Sequence, residues 1–176
     1  ANSAALTGDN FYITFPWAAR YKVVKNCNTL IQAANNSTLI TAEQKKAYIG
    51  FARTIKAYQL LLNLNLTYSN GIRVDVADPA HVGPFVNYNN GLAAITAILD
   101  SAKNDLTGST VSFPLAGFGN FSDAAGLVQF NRALAARVSV YQKNWQTALD
   151  DLNASFFGLN VDFNTGVYHV FGKGSG

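Results

Sequence analysis

Residues Phe130–Phe156 read FNRALAARVSVYQKNWQTALDDLNASF, and the way this stretch divides decides the fold. With Leu127 ahead of it, Phe130, Leu134, Val138 and Tyr141 recur at steps of three or four, the spacing of one helix face. Lys143-Asn144 interrupts the run, and Asn144 suits the N-cap of a second helix. Trp145, Ala148, Leu149, Leu152 and Phe156 then lay down a second stripe of the same period. Two stripes joined so closely bury both faces only if the helices fold back as an antiparallel hairpin. Asp150-Asp151 falls off the second stripe and is expected on a solvated face.

Working outward, the small residues carry a further signal. Ala136 and Ala148 lie twelve positions apart, an aromatic opens the second helix, and Ser155 comes seven positions after Ala148. This is the phase of a tetratricopeptide unit, with small side chains where two helices cross closely. The fold expected is all-α: right-handed tetratricopeptide-type helical hairpins with long irregular loops, in a single domain over 1–176. The stretch ALAARVSVYQKNWQTALDDLNASF resembles the repeat of SusD/RagB-like proteins, the surface glycan-binding lipoproteins of Bacteroidetes.

Upstream, Pro16 suits a helix start, and Trp17, Tyr21, Val24, Asn28 and Ile31 predict a helix over about 16–35, after a loose lead-in. Asn28 sits on that apolar stripe and is expected to be buried, bonded to backbone. Tyr21, Asn28 and Leu30 match the family's Y…N.L helix. Thr41 and Gln44 form a capping box for another helix. That helix is apolar almost all round (Phe51, Ile55, Tyr58, Leu60, Leu61, Leu64), so it is expected to be central. KKAYIGFARTIKAYQLLLNLNL resembles the family's long helix, although the usual Phe-Gly and its turn are replaced by Leu66–Gly71. A loop over 67–87 precedes a third helix near 89–106, marked by Leu92, Ile95, Leu99 and Leu106. A second irregular stretch, 107–121, leads to Ser122-Asp123, a cap for the fourth helix. The fifth is expected to end near Phe157-Gly158. The tail resembles the family's segment after this repeat, and since the family continues further, the chain reads as a portion of a longer protein.

Composition narrows function. Hydrophobic residues make up 49% and charged ones 13%, too apolar for disorder. The net charge is +3, and its scattered bases make no stripe for phosphate backbones, so no nucleic acid is expected. Cys27 is the only cysteine, which excludes an internal disulfide and a thiolate metal cluster. His81 and His169 lack nucleophile or metal-ligand spacing. Glu43 is the only glutamate; Asp75 and Asp78 are the best remaining carboxylate pair, and three loop residues do not define a separation for glycoside hydrolysis. No enzyme, cofactor or metal is expected.

Binding remains. Flat aromatic faces and planar amide or guanidinium donors grip sugar rings, and the first loop offers Tyr68, Arg73, Asn87 and Tyr88 as ligand-binding candidates. Phe11, Tyr12, Phe113 and Phe118 add aromatics elsewhere. The family resemblance implies a nutrient-binding protein, usually for oligosaccharides, that passes its ligand to a SusC-like TonB-dependent outer-membrane transporter. It also implies a lipid-anchored place at the outer-membrane cell surface, with the anchoring Cys not in this chain. The alternative is a tetratricopeptide scaffold that binds a protein or peptide.

Overall fold

The computed structural model describes residues 10–168. Its first helix, α1, starts before Pro16. The Asn10 side chain accepts from the Tyr12 N–H at 3.0 Å, and the helix runs Phe11–Asn36. Phe11 and Tyr12 therefore form a first turn rather than a lead-in. Pro16 sits inside the helix near that turn, where the carbonyl it leaves unbonded is close to solvent. Helix α2 (Ala42–Thr67) opens on the expected box: Gln44 N–H donates to Thr41 Oγ1 and Thr41 N–H to Gln44 Oε1. Helices α3 (Tyr88–Leu106), α4 (Ala124–Tyr141) and α5 (Trp145–Asn153) come next, capped by Asn87, Asp123 and Asn144. The described chain is all-α apart from one short hairpin.

That hairpin lies in the 67–87 loop. Strands β1 (Ile72–Arg73) and β2 (Phe85–Val86) pair antiparallel, Ile72 with Val86 and Arg73 with Phe85. Gly71 makes the close approach that allows it. Its φ is +71°, and a Cβ there would run into the Val86 carbonyl oxygen. The Tyr21 hydroxyl ties the hairpin to α1, donating to the Arg73 carbonyl at 2.8 Å and accepting from its N–H at 2.9 Å. Burial raises the Tyr21 pKa.

Helix α2 packs against α1 and α3, α3 against α4, and α4 against α5. Cross-contacts show the directions. Asn28 meets Lys56 and Trp17 meets Asn63, so α1 and α2 run antiparallel. Arg53 meets Asp105 and Gly91 faces Leu64, so α2 and α3 do too. The centre of the core is Leu60, Leu61, Leu64, Leu92, Ile95 and Leu99, each nearly inaccessible to water. Gly50 lets α3 come close to α2: a Cβ there would lie 2.6 Å from Leu106 Cγ and 3.0 Å from the Ala102 carbonyl oxygen. A smaller cluster, Leu106, Phe118 and Leu127, fastens the 107–121 segment, with Phe113 against Tyr48 and Phe51.

Helix α5 departs most from the sequence reading. It ends at Asn153, four residues before Phe157, and its buried positions are Ala148, Asp151 and, just beyond the helix, Ser155. Trp145 and Leu149 face solvent instead, 65% and 52% exposed. Asp151 is thus inside, not on a solvated face. Arg132 of α4, also buried, draws it in. Its Nη1 reaches Asp151 at 3.0 Å and Asp100 of α3 at 2.9 Å, while Nε and Nη2 donate to Asn131 Oδ1. Ser139 Oγ donates to the second Asp151 oxygen. A charge on the inner face breaks the apolar stripe, and the whole helix is rotated to bury it. Ala136, Ala148 and Ser155 are all buried along this hairpin.

Candidate functional site

The first loop brings two of its four candidate residues, Tyr68 and Tyr88, together and employs the other two in holding itself together. Asn87 Oδ1 accepts from the Asn90 N–H at 2.9 Å as the cap of α3. The Arg73 guanidinium donates to the Gly83 carbonyl and lies over the Phe85 ring, 4.6 Å from its centroid. Tyr68 and Tyr88 are left as a pair with ring centroids 4.7 Å apart. Tyr68 holds a left-handed backbone, φ +45°, that turns its ring outward, 63% exposed. The Tyr88 pKa is raised by desolvation first, and then by the phenols of Tyr68 and Tyr141. The two rings are tilted 54° to one another, so the pair offers an angled aromatic surface with few planar polar donors beside it.

A groove between α2 and α4 supplies what that surface lacks. Tyr58 and Gln59 project from α2, Phe130 and Arg137 from α4, and the chain around Phe156 and Tyr168 closes one end, enclosing about 420 Å³. Phe118 forms part of the floor, pinned edge-on to Phe130 with centroids 5.4 Å apart. The rings are half-buried and held by the core, while Gln59 and Arg137 keep planar donors at the rim. The side chains of Tyr58, Gln59 and Arg137, which line it, make no hydrogen bond to another described residue. Spacing alone places Tyr58 in a core stripe. It does pack partly against the core, and it also lines the gap between α2 and α4.

On the other side of α2, Asn28 is half-buried and makes no backbone bond. Its Oδ1 accepts from the Lys56 ammonium at 2.8 Å, and its Nδ2 is shielded from water without a partner. A lysine from α2 meets the amide where a backbone group is expected. Desolvation lowers the Lys56 pKa, partly offset by Asp75.

The remaining polar candidates are scattered. His81 and Asp78 form an exposed pair, Nδ1 to carboxylate 2.8 Å, and that contact, with the Ala80 N–H, lowers the Asp78 pKa. Glu43 is exposed in the first turn of α2. His169 lies outside the described residues. Among the described residues no three His, Cys, Asp or Glu side chains gather as a metal site, and no helix is long and apolar enough to cross a membrane. Set against family models, curated proteins and solved structures, the chain matches none of them.

Proposed function

We propose that this chain is a SusD-like nutrient-capture module, built on a right-handed tetratricopeptide-type repeat, that binds an oligosaccharide and hands it to a TonB-dependent outer-membrane transporter. The observation that supports this reading most is the α2–α4 groove. It joins aromatic rings (Tyr58, Phe130, Phe156) to planar donors (Gln59, Arg137). Sugar rings need both, because their C–H faces stack on π surfaces while their hydroxyls demand hydrogen-bond partners. The buried small residues Ala136, Ala148 and Ser155 favour the repeat assignment. The family assignment itself rests on the sequence resemblance, and with it the surface location and the transporter partner.

The mechanism is affinity without bond making. A shallow groove replaces only part of the water around a sugar, so the dissociation constant is on the order of 0.1–1 mM. The loop candidates Tyr68, Arg73, Asn87 and Tyr88 are the secondary contact. Titration of neutral oligosaccharides against amide shifts tests the reading. Saturable shifts around Tyr58, Gln59 and Arg137, weakened about tenfold in Arg137→Ala as a charged hydrogen bond is lost, are expected. Shifts confined to Tyr68 and Tyr88, and lost in Tyr88→Ala, would move the site to the loop. The same groove is open to an extended peptide, the scaffold alternative. Saturation by peptides and by no sugar would replace the capture reading with that one.

A further inference from the structure

We propose that the cavity over the junction of α1, α2 and α3 binds a small monocarboxylate carried on an apolar body. The cavity measures about 360 Å³ and is lined by Asn28 and Ile31 of α1, Arg53 and Lys56 of α2, and Ile98 and Ser101 of α3. Hydrogen-bond accounting points to the ligand. The Lys56 ammonium has three N–H groups, of which one goes to Asn28 Oδ1. The Asn28 Nδ2 donors are buried and unmet. Arg53 spends Nη1 on Asp105, and the Ser101 hydroxyl donates to the Ala97 carbonyl at 2.8 Å. Donors therefore exceed acceptors around one space, and unpaired buried donors are costly. An acceptor-only group such as a carboxylate corrects the imbalance.

Charge fixes the valence. Asp105 neutralises Arg53, while Lys56 makes no ion pair among the described residues and feels Asp75 at longer range, so at most one positive charge is left uncompensated there. That suits a single negative charge better than a phosphate dianion. Ile31, Ile98 and Ala97 form the rest of the wall and suit a short hydrocarbon. The partial desolvation of Lys56 is consistent with a site where an ion pair is little screened. This site is independent of the groove proposed above. The two share no lining residue, and at 3.6 residues per turn the mean direction of Arg53 and Lys56 lies about 140° around α2 from that of Ile55, Tyr58 and Gln59.

The test is a titration of the whole chain at fixed ionic strength with 3-methylbutanoate, its neutral isostere 3-methylbutan-1-ol, and inorganic phosphate, monitoring backbone amides. The acid is expected to give saturable shifts at Asn28, Lys56, Ile98 and Ser101 with a dissociation constant on the order of 1 mM. The alcohol should give none there, and phosphate should bind at least tenfold more weakly. Lys56→Gln should weaken binding at least tenfold. Asn28→Asp keeps the pairing with Lys56 and nearly the same volume, so it retains the fold while placing a competing carboxylate in the site; it should abolish binding. Equal response to acid and alcohol, tighter binding of phosphate, unchanged affinity in either variant, or no shift at tens of millimolar acid would each overturn the proposal.

Discussion

Replacing Asp151 with alanine should be among the most damaging single changes in the C-terminal half. The Arg132 side chain is 5% exposed and that of Asp151 11% exposed, so water cannot replace the lost partner freely. Removing one member of a buried pair costs about 3–5 kcal/mol. Here Asp100 and the Asn131 oxygen still contact the guanidinium, which lowers the figure, while the lost bond from Ser139 adds about 1 kcal/mol. The net loss is then about 2–4 kcal/mol. Asp151→Asn keeps an acceptor and loses only the charge, so about 1–2 kcal/mol is expected. Asp100 is 56% exposed, and Asp100→Asn should cost no more than about 1 kcal/mol. Asp150, on the outer face of α5, is the control, and Asp150→Ala should stay within about 0.5 kcal/mol. Urea unfolding monitored by circular dichroism measures all four. For a chain of this size, about 3 kcal/mol corresponds to roughly 6–12 °C in melting temperature. A loss below about 0.5 kcal/mol in Asp151→Ala, or a larger effect at Asp150, would refute the burial of this ion pair.

Other expectations come from close contacts and from one thiol. Gly50→Ala improves helix propensity by about 1 kcal/mol. It should nevertheless lower stability by about 1–3 kcal/mol, because its Cβ meets Leu106 and the Ala102 carbonyl; a stabilised variant on thermal melting would contradict the close α2–α3 approach. Ala148→Leu should cost about 1–3 kcal/mol by overpacking the α4–α5 crossing, and an unchanged melt would place Ala148 outside it. Burial pushes the Cys27 thiol up to about 11 from 9.0, so iodoacetamide at pH 8 should label the folded chain about a hundredfold more slowly than the unfolded one. For stability the sign is set by which state ionises first: below pH 9 both states hold the proton. Between about pH 9 and 11 the unfolded chain loses it first, so stability falls as pH rises. Equal labelling rates in urea and in buffer would remove this argument.

The helices are legible in the sequence because caps and periodicity are local. Thr41, Asn144 and Asp123 cap the helices expected of them. Helix α1 begins earlier than its spacing suggests because Asn10 as a cap outweighs Pro16 as a starter, and a proline near the first turn disrupts little. The orientation of α5 is hidden because its apolar residues outnumber Asp151. One buried guanidinium on α4, which spacing within α5 cannot reveal, decides which face goes in. The site is less legible for a similar reason. Tyr68, Arg73, Asn87 and Tyr88 all belong to one loop and its edges, yet two of them serve as cap and hairpin brace. Tyr58, Gln59 and Arg137 meet across a groove that exists only once α2 and α4 are placed in the fold.

Helix α5 has nine residues, fewer than the roughly 12–15 at which an isolated helix becomes even marginally stable in water. Its helicity is therefore conditional on docking, and docking rests largely on Ala148, Asp151 and Ser155. The hydrogen-exchange behaviour of the chain should divide accordingly. Amides of α5 should exchange through a local opening well below the global unfolding free energy, while those around Leu60 and Ile95 wait for complete unfolding. In Asp151→Asn the gap should widen, because the opening of α5 becomes easier while the α1–α3 core keeps its own contacts. The C-terminal helix then behaves as a latch whose closure is reported amide by amide, and its release would uncover Arg132 before anything else in the molecule comes apart.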